Sequence, residues 1–235
     1  MKARVGLLAA SFVAALPAAA QERAQRLAER ARQDREIVYF LQPPETHAFD
    51  LYHDLTESRE GADRYLNVVR AGSTVSNPKA VALDTGEALL VETLKGDAIA
   101  KAGIETSEPV RPESEVVVVR FPKVGPGETR RLRISETYTD PARYRRDGDE
   151  LVFDRTFGRP RNAVVLPAGY YLTNSSIPTT VSETEDGRIR LDFTNPRPDE
   201  IAVLITARKR RSPRPRRSHG LRSELNSLQR ARRGV

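Results

Sequence analysis

The 235-residue sequence predicts an all-β protein, an antiparallel β-sandwich made of two sandwich-like halves. Three observations predict it. Short runs rich in Val, Ile, Tyr, Phe and Thr recur about every eight to twelve residues across positions 36–207, with Gly, Pro, Asn and Asp between them. Several runs alternate apolar and polar residues, the period of a strand with one buried face. No long helical pattern that could serve as a βαβ crossover lies between them. A short N-terminal helix and a disordered basic C-terminal tail are expected to flank this body.

Residues 1–20 read as a leader. Lys2 and Arg4 precede an apolar stretch, VGLLAASFVAAL, and Pro17 leads into Ala18-Ala19-Ala20. That is the layout of a secretory signal peptide cleaved after Ala20. The apolar stretch is shorter than the roughly 20 residues that span a bilayer. The expected location is therefore secreted or periplasmic. No cysteine occurs, so no disulfide, lipid anchor on cysteine or thiol nucleophile is available. Residues 21–35 (QERAQRLAERARQDR) are good helix formers, with Ala24, Leu27, Ala28 and Ala31 at helical spacing. The stripe is mostly alanine and buries little.

The first sandwich half is expected over residues 36–105. EIVYFLQ (36–42) ends at Pro43-Pro44, and HAFDLYHDL (47–55) sets Phe49 and Leu51 against Asp50 and Tyr52. RYLNVVR (64–70) ends at Ala71-Gly72-Ser73. VALD (81–84) and ALLVETL (88–94) are expected to form a hairpin across residues 84–87. Residues 96–104 make a helical turn or a loop. TSEPVRPE (106–113) reads as a linker, since its prolines block helix and ladder alike.

The second half is expected over residues 112–207. EVVVVRF (115–121) is apolar on both faces and should be a central strand. TRRLRISETY (129–138) puts Leu132, Ile134 and Tyr138 inward, with Glu136 interrupting that face near a sheet end. Asp147-Gly148-Asp149 turns the chain into ELVFDR (150–155), and NAVVLP (162–167) follows. TTVSETE (179–185) and RIRLDFT (188–194) flank Asp186-Gly187, a pair suited to a hairpin turn with positive φ. IAVLITA (201–207) is the last buried strand.

Residues 208–235 are the tail. The net charge of +7 is the sum of +10 in this tail, +2 in the leader and −5 over residues 21–206. The arginine–proline block lacks the apolar area needed to offset chain entropy. Its Arg208, Lys209, Arg210, Arg211, Arg214, Arg216 and Arg217 are candidate contacts for anionic lipid or another polyanion. Base-stacking aromatics are missing from it, which argues against nucleic acid.

Candidate sites in the body are few. No HExxH, Cys-based or EF-hand pattern occurs, so no metal and no cofactor is expected. His47 and His53 are six apart and would share one face of an unbroken strand. Ser175 and Ser176 lack the strand-to-helix elbow of a nucleophilic serine. Tyr170 and Tyr171 must face opposite ways on a strand, and an exposed ring beside Asn174 is a candidate contact for a protein or glycan partner.

FPKVGPGETRRLRISETYTDP (121–141), after VVVVR, resembles the β-sandwich that precedes the catalytic domain in aminopeptidases of the gluzincin and glycyl-aminopeptidase kind. RNAVVLPAGYYLTNSSIPTTV and GRIRLDFTNPRP are similar to segments of uncharacterised secreted bacterial proteins of that general build. The resemblance spans residues 36–207. It implies a non-catalytic sandwich, because those peptidases hold zinc in a separate helical domain with HExxH. The expectation is a non-enzymatic, envelope-associated binding or assembly module. The alternative is a hydrolase with its site near Tyr170 and Ser175 or near His47 and His53.

Overall fold

A computed structural model of the chain describes residues 34–210, except 107, 108 and 198, together with residues 20 and 21. The expected signal peptide (1–20), the expected helix (21–35) and the tail beyond Arg210 thus lie almost wholly outside the described residues.

The described chain is mostly strand, arranged in three sheets. The largest has seven strands in the order β12 (Thr180–Glu183), β13 (Ile189–Thr194), β10 (Arg161–Val165), β1 (Arg35–Leu41), β2 (Ala48–Glu57), β7 (Arg130–Thr139) and β4 (Thr74–Ala82). A second sheet runs β11 (Tyr170–Ser175), β14 (Ile201–Lys209), β9 (Glu150–Phe157), β8 (Tyr144–Asp147). The third runs β3 (Arg64–Val68), β6 (Glu115–Arg120), β5 (Leu90–Lys95). Both smaller sheets pack on one face of the large one. Tyr39, Phe49 and Tyr138 of the large sheet share a core with Phe153, Phe157 and Ile205 of the second. Leu55, Leu132 and Ile134 share another with Val119 of the third. The outer face of β6 is covered by a single helical turn, α1 (Asp97–Lys101), through Ile99.

Alternation explains the strand faces. In β2, Phe49, Leu51 and Leu55 are buried while Asp50 is exposed. The β12–β13 hairpin forms as expected, with Gly187 at φ 77° in its turn and Leu191 and Phe193 in the core. β6 lies between β3 and β5 and is buried on both faces, as an all-valine run requires.

Four expectations change. The sheets do not follow a division near residues 105–112: β1, β2 and β4 pair directly or in series with β7, β10 and β13 in one sheet. Strand pairing follows buried faces rather than neighbourhood in sequence. Residues 106–113 are therefore no interdomain linker; they lie between β5 and β6, which pair antiparallel. The turn at residues 84–87 is present, held by Ala82 N–H to Glu87 O at 2.9 Å. Its strands separate after one bridge, Val81 to Ala88, so that β4 enters the large sheet and β5 the third. Finally, β1 and β10 pair in parallel, within an otherwise antiparallel set.

An aromatic cluster joins the layers. Phe153 is fully buried and lies 5.7 Å from the rings of both Tyr39 and Phe49 and 6.1 Å from Tyr144. Truncating it removes ring contacts to three strands at once. Phe153→Ala is expected to lower stability by about 3–5 kcal/mol, read as a lower urea midpoint with an unchanged slope.

Candidate functional site

The sequence-predicted candidates do not converge. His47 precedes β2 in a left-handed turn (φ 53°), with its Nδ1 2.9 Å from Tyr144 O. His53 is buried inside β2. They are therefore no same-face pair, because the strand begins only at Ala48. Tyr171 is 40% exposed, whereas Tyr170 packs against the main core. A bulge between Leu172 and Asn174 inserts Thr173 and shifts the alternation, which returns Asn174 to the face of Tyr171. Ser175 Oγ donates to Ile177 O at 2.7 Å, and Ser176 Oγ accepts from Leu204 N–H at 2.8 Å. Both hydroxyls serve the loop. Arg208 and Lys209 belong to β14 and not to a tail, since Ala207 pairs with Leu172 and Arg208 with Tyr171 and Glu150. Arg210 N–H still bonds Gly169 O at 2.7 Å. Arg211, Arg214, Arg216 and Arg217 lie outside the described residues.

A different set of residues does converge. Where the second and third sheets meet above the large one, a cleft of about 180 Å³ opens. β1 and β2 form its floor, β3 one wall, and the end of β9 the other. Each strand contributes a polar residue at an inward position: Arg35 from β1, His53 from β2, Asn67 from β3 and Arg155 from β9. Arg70, Arg159 and Glu200 complete the charged lining. The lining thus carries four arginines and one carboxylate, with Asp140 paired to Arg155 from behind it.

Arg35 is the most informative. It is 3% exposed and makes no ion pair among the described residues. Its Nη2 donates to His53 Nδ1 at 2.6 Å and to Tyr65 Oη, and its guanidinium sits 5.0 Å from the Tyr65 ring centre. Its Nε is buried without a partner. Because guanidinium only donates, Nδ1 of His53 must be the acceptor, and the ring is neutral with its proton on Nε2. Burial holds the His53 pKa well below its usual value, and Arg35, Arg159 and Arg155 push it the same way.

Arg155 is 8% exposed. It reaches Asp140 Oδ2 through Nη1 at 3.3 Å and lies 5.0 Å from the Phe49 ring centre. Its Nε also lacks a partner. Behind the β3 wall, Asn67 Nδ2 donates to Glu136 Oε2 at 2.7 Å and to Tyr138 Oη at 2.9 Å. Glu136 sits in mid-strand and not at a sheet end, opposite the β4 irregularity between Ser76 and Lys79. Burial raises its pKa to about 7, against the lowering pull of Asn67 and Arg35. Burial raises Tyr138 as well, helped by Glu136.

This chemistry suits anion recognition. In a Ser-His-Asp triad the histidine has a carboxylate on one nitrogen and a nucleophile on the other; here a guanidinium occupies Nδ1. Among the described residues no cluster of three His, Asp or Glu could hold a metal ion. The cleft, about 180 Å³, has room for a carboxylate or phosphate group.

The buried carboxyl predicts a pH effect. Folded Glu136 keeps its proton up to about pH 7, whereas the unfolded group releases it near its ordinary value of 4.5. Folded protein therefore binds more protons between those limits, and stability falls as pH rises through that window and levels off above it. Glu136→Gln is expected to remove this loss, on the order of 3 kcal/mol at pH 8 and nothing at pH 4. Urea midpoints of both proteins across pH 4–8 check it; parallel profiles would count against it.

No known family profile matches the chain, and no curated protein matches it. The fold is similar to solved structures. An M1 zinc metallopeptidase from Deinococcus radiodurans shares 17% identity over 74% of this chain and 41% of its own, with a TM-score of 0.41. A two-domain M1 zinc metallopeptidase bound to L-tryptophan shares 18% over 73% and 41%, with a TM-score of 0.42. An aminopeptidase N family protein from Idiomarina loihiensis shares 11% over 73% and 29%, with a TM-score of 0.40. The chain spans less than half the length of each. These neighbours are of the aminopeptidase group that residues 121–141 resemble; at these scores the likeness carries no argument about activity.

Proposed function

We propose that the protein is a non-enzymatic binding module of the cell envelope, secreted or periplasmic, whose cleft recognises an anionic group. The observation that carries the reading is Arg35: a buried guanidinium without a carboxylate, its Nε unpartnered, in a cleft lined by three further arginines. An unpaired buried charge is costly, and an anion in the cleft supplies the missing opposite charge. The leader supports export, and the resemblance supports a sandwich without its own chemistry. The partner is then an envelope protein, or a glycan at the Tyr171 and Asn174 face.

Acetate and inorganic phosphate are the simplest probes. Either is expected to shift the Arg35 and Arg155 Nε–H resonances of residues 21–235 saturably, while chloride at equal ionic strength does not. Linear shifts shared by all three anions would sink the anion reading.

The basic segment after Arg210 supplies a second, electrostatic attachment in this reading. Because β14 runs to Lys209, the clean truncation removes residues 211–235. That deletion is expected to leave the melting temperature unchanged and to abolish salt-sensitive binding to vesicles containing phosphatidylglycerol. Unchanged sedimentation with the vesicles would rule the tail out.

A further inference from the structure

We propose that the cleft receives an extended acidic segment of a partner protein, which adds a strand to the free edge of β3 and lowers a Glu or Asp side chain onto Arg35 and Arg155. The proposal rests on the anion reading above and deepens it.

The edge is open by position and by phase. β3 ends its sheet, with β6 as its neighbour on the other side. Val69 N–H bonds Glu115 O at 2.9 Å, and Phe121 N–H bonds Asp63 O at 3.0 Å. Antiparallel pairing alternates residues bonded to the partner with residues turned away. Asp63, Tyr65, Asn67 and Val69 therefore face β6, and Leu66 and Val68 turn their N–H and C=O groups to the free side. The opposite wall has a matching gap. Asp154 N–H reaches Arg143 O at 2.8 Å, and the β8 ladder ends there. Thr156, two residues on, turns its backbone toward the cleft beyond that ladder. Arg70 spans the rim, donating from Nη2 to Thr156 Oγ1 at 3.2 Å.

Free edges are usually blunted by proline, a bulge or inward charge of their own. β3 has neither proline nor bulge, and Val68 at its end is 51% exposed. A strand laid along β3 points alternate side chains down to the floor. There the lining offers Tyr39 and Leu51 beside Arg35 and Arg155. The matching segment alternates an acidic residue with apolar ones on its inward face. Main-chain bonds to β3 supply affinity and the arginines select the acid, the division of labour in strand addition. The excess of arginine over carboxylate in the lining disfavours a basic segment.

The test uses residues 21–235 and two blocked peptides, acetyl-Val-Thr-Glu-Thr-Val-amide and its Gln counterpart, with acetate as the small-anion control. The Glu peptide is expected to bind at least about tenfold more tightly than the Gln peptide, the scale of one charged hydrogen bond. At saturation, amide exchange at Leu66 and Val68 is expected to slow, which acetate does not cause. Val68→Pro deletes an edge donor that makes no bond to β6, a place where proline is tolerated; it should abolish peptide binding and leave acetate binding intact. If acetate binds but the peptides neither bind nor protect Leu66 and Val68, the strand proposal is overturned and the anion reading stands. If neither acetate nor peptide binds, both fall. Equal binding of Glu and Gln peptides would overturn the pairing with arginine.

Discussion

The structure turns on a charge held between its layers. Arg155 projects inward from β9, between Phe153 and Phe157, where alternation calls for an apolar side chain. Its guanidinium lies within 6 Å of the rings of Tyr39, Phe49 and Tyr138, which come from three strands of the large sheet. Its ion pair is Asp140, which is itself buried. Asp140 receives Arg143 N–H on Oδ1 and Tyr144 N–H on its carbonyl, and its own N–H bonds His47 O. One residue thus joins the end of β7, the start of β2 and the whole of β8. Losing the arginine would strand Asp140 as an unpaired buried carboxylate, which costs more than the pair gains. The two layers are therefore registered by a polar contact inside an apolar core.

The second layer is split above the polar residues of the large sheet. A continuous sheet over β1, β2 and β7 would place apolar side chains above Arg35, His53 and Glu136. Instead β8 stops after four residues and β3 begins a separate sheet. The gap lies where the large sheet carries its polar residues. Elsewhere the same face packs against Val119, Phe121, Phe153, Phe157 and Ile205. Composition of the floor and closure of the roof are two aspects of one constraint, since buried polar groups require partners or water.

How much of this was legible follows from the same residues. The strands were, because alternation and turn residues are local. The Asp186-Gly187 hairpin and the all-valine β6 need no tertiary information. Pairing was less so. The parallel match of β1 with β10 joins residues about 125 positions apart, and β4 and β5 part company after a turn that locally favours a hairpin. The cleft left a signal that was partly seen. Glu136 stood out as an intruder on an inward face, and His53 as a strand histidine. Arg35 and Arg155 obey the same rule, a charged residue two positions from buried aromatic or aliphatic neighbours on one strand face. Only the fold shows that these intruders meet, because each sits on a different strand. Sequence instead favoured Tyr170, Tyr171, Asn174 and the arginine block, residue types conspicuous by chemistry rather than by position.

The electrostatics of the cleft favour fixed positive charge over a proton-transferring pair. His53 is kept neutral by burial and by arginines, and Glu136 lies behind Asn67 with Tyr138. His53 lines the cleft as a weak base, its Nδ1 taken by Arg35, and Glu136 does not line it. What is offered is fixed positive charge with directed N–H groups. His53 positions Arg35 through Nδ1, and Tyr39, Phe49 and Tyr138 position Arg155 through ring faces that attract cations. Such preorganised donors lose little freedom when an anion arrives. Protonating His53 would add a positive charge beside Arg35 and remove its acceptor, so the neutral ring is the form in which this guanidinium stays aimed. The buried charges are thus held in fixed positions by the packing of the folded chain itself.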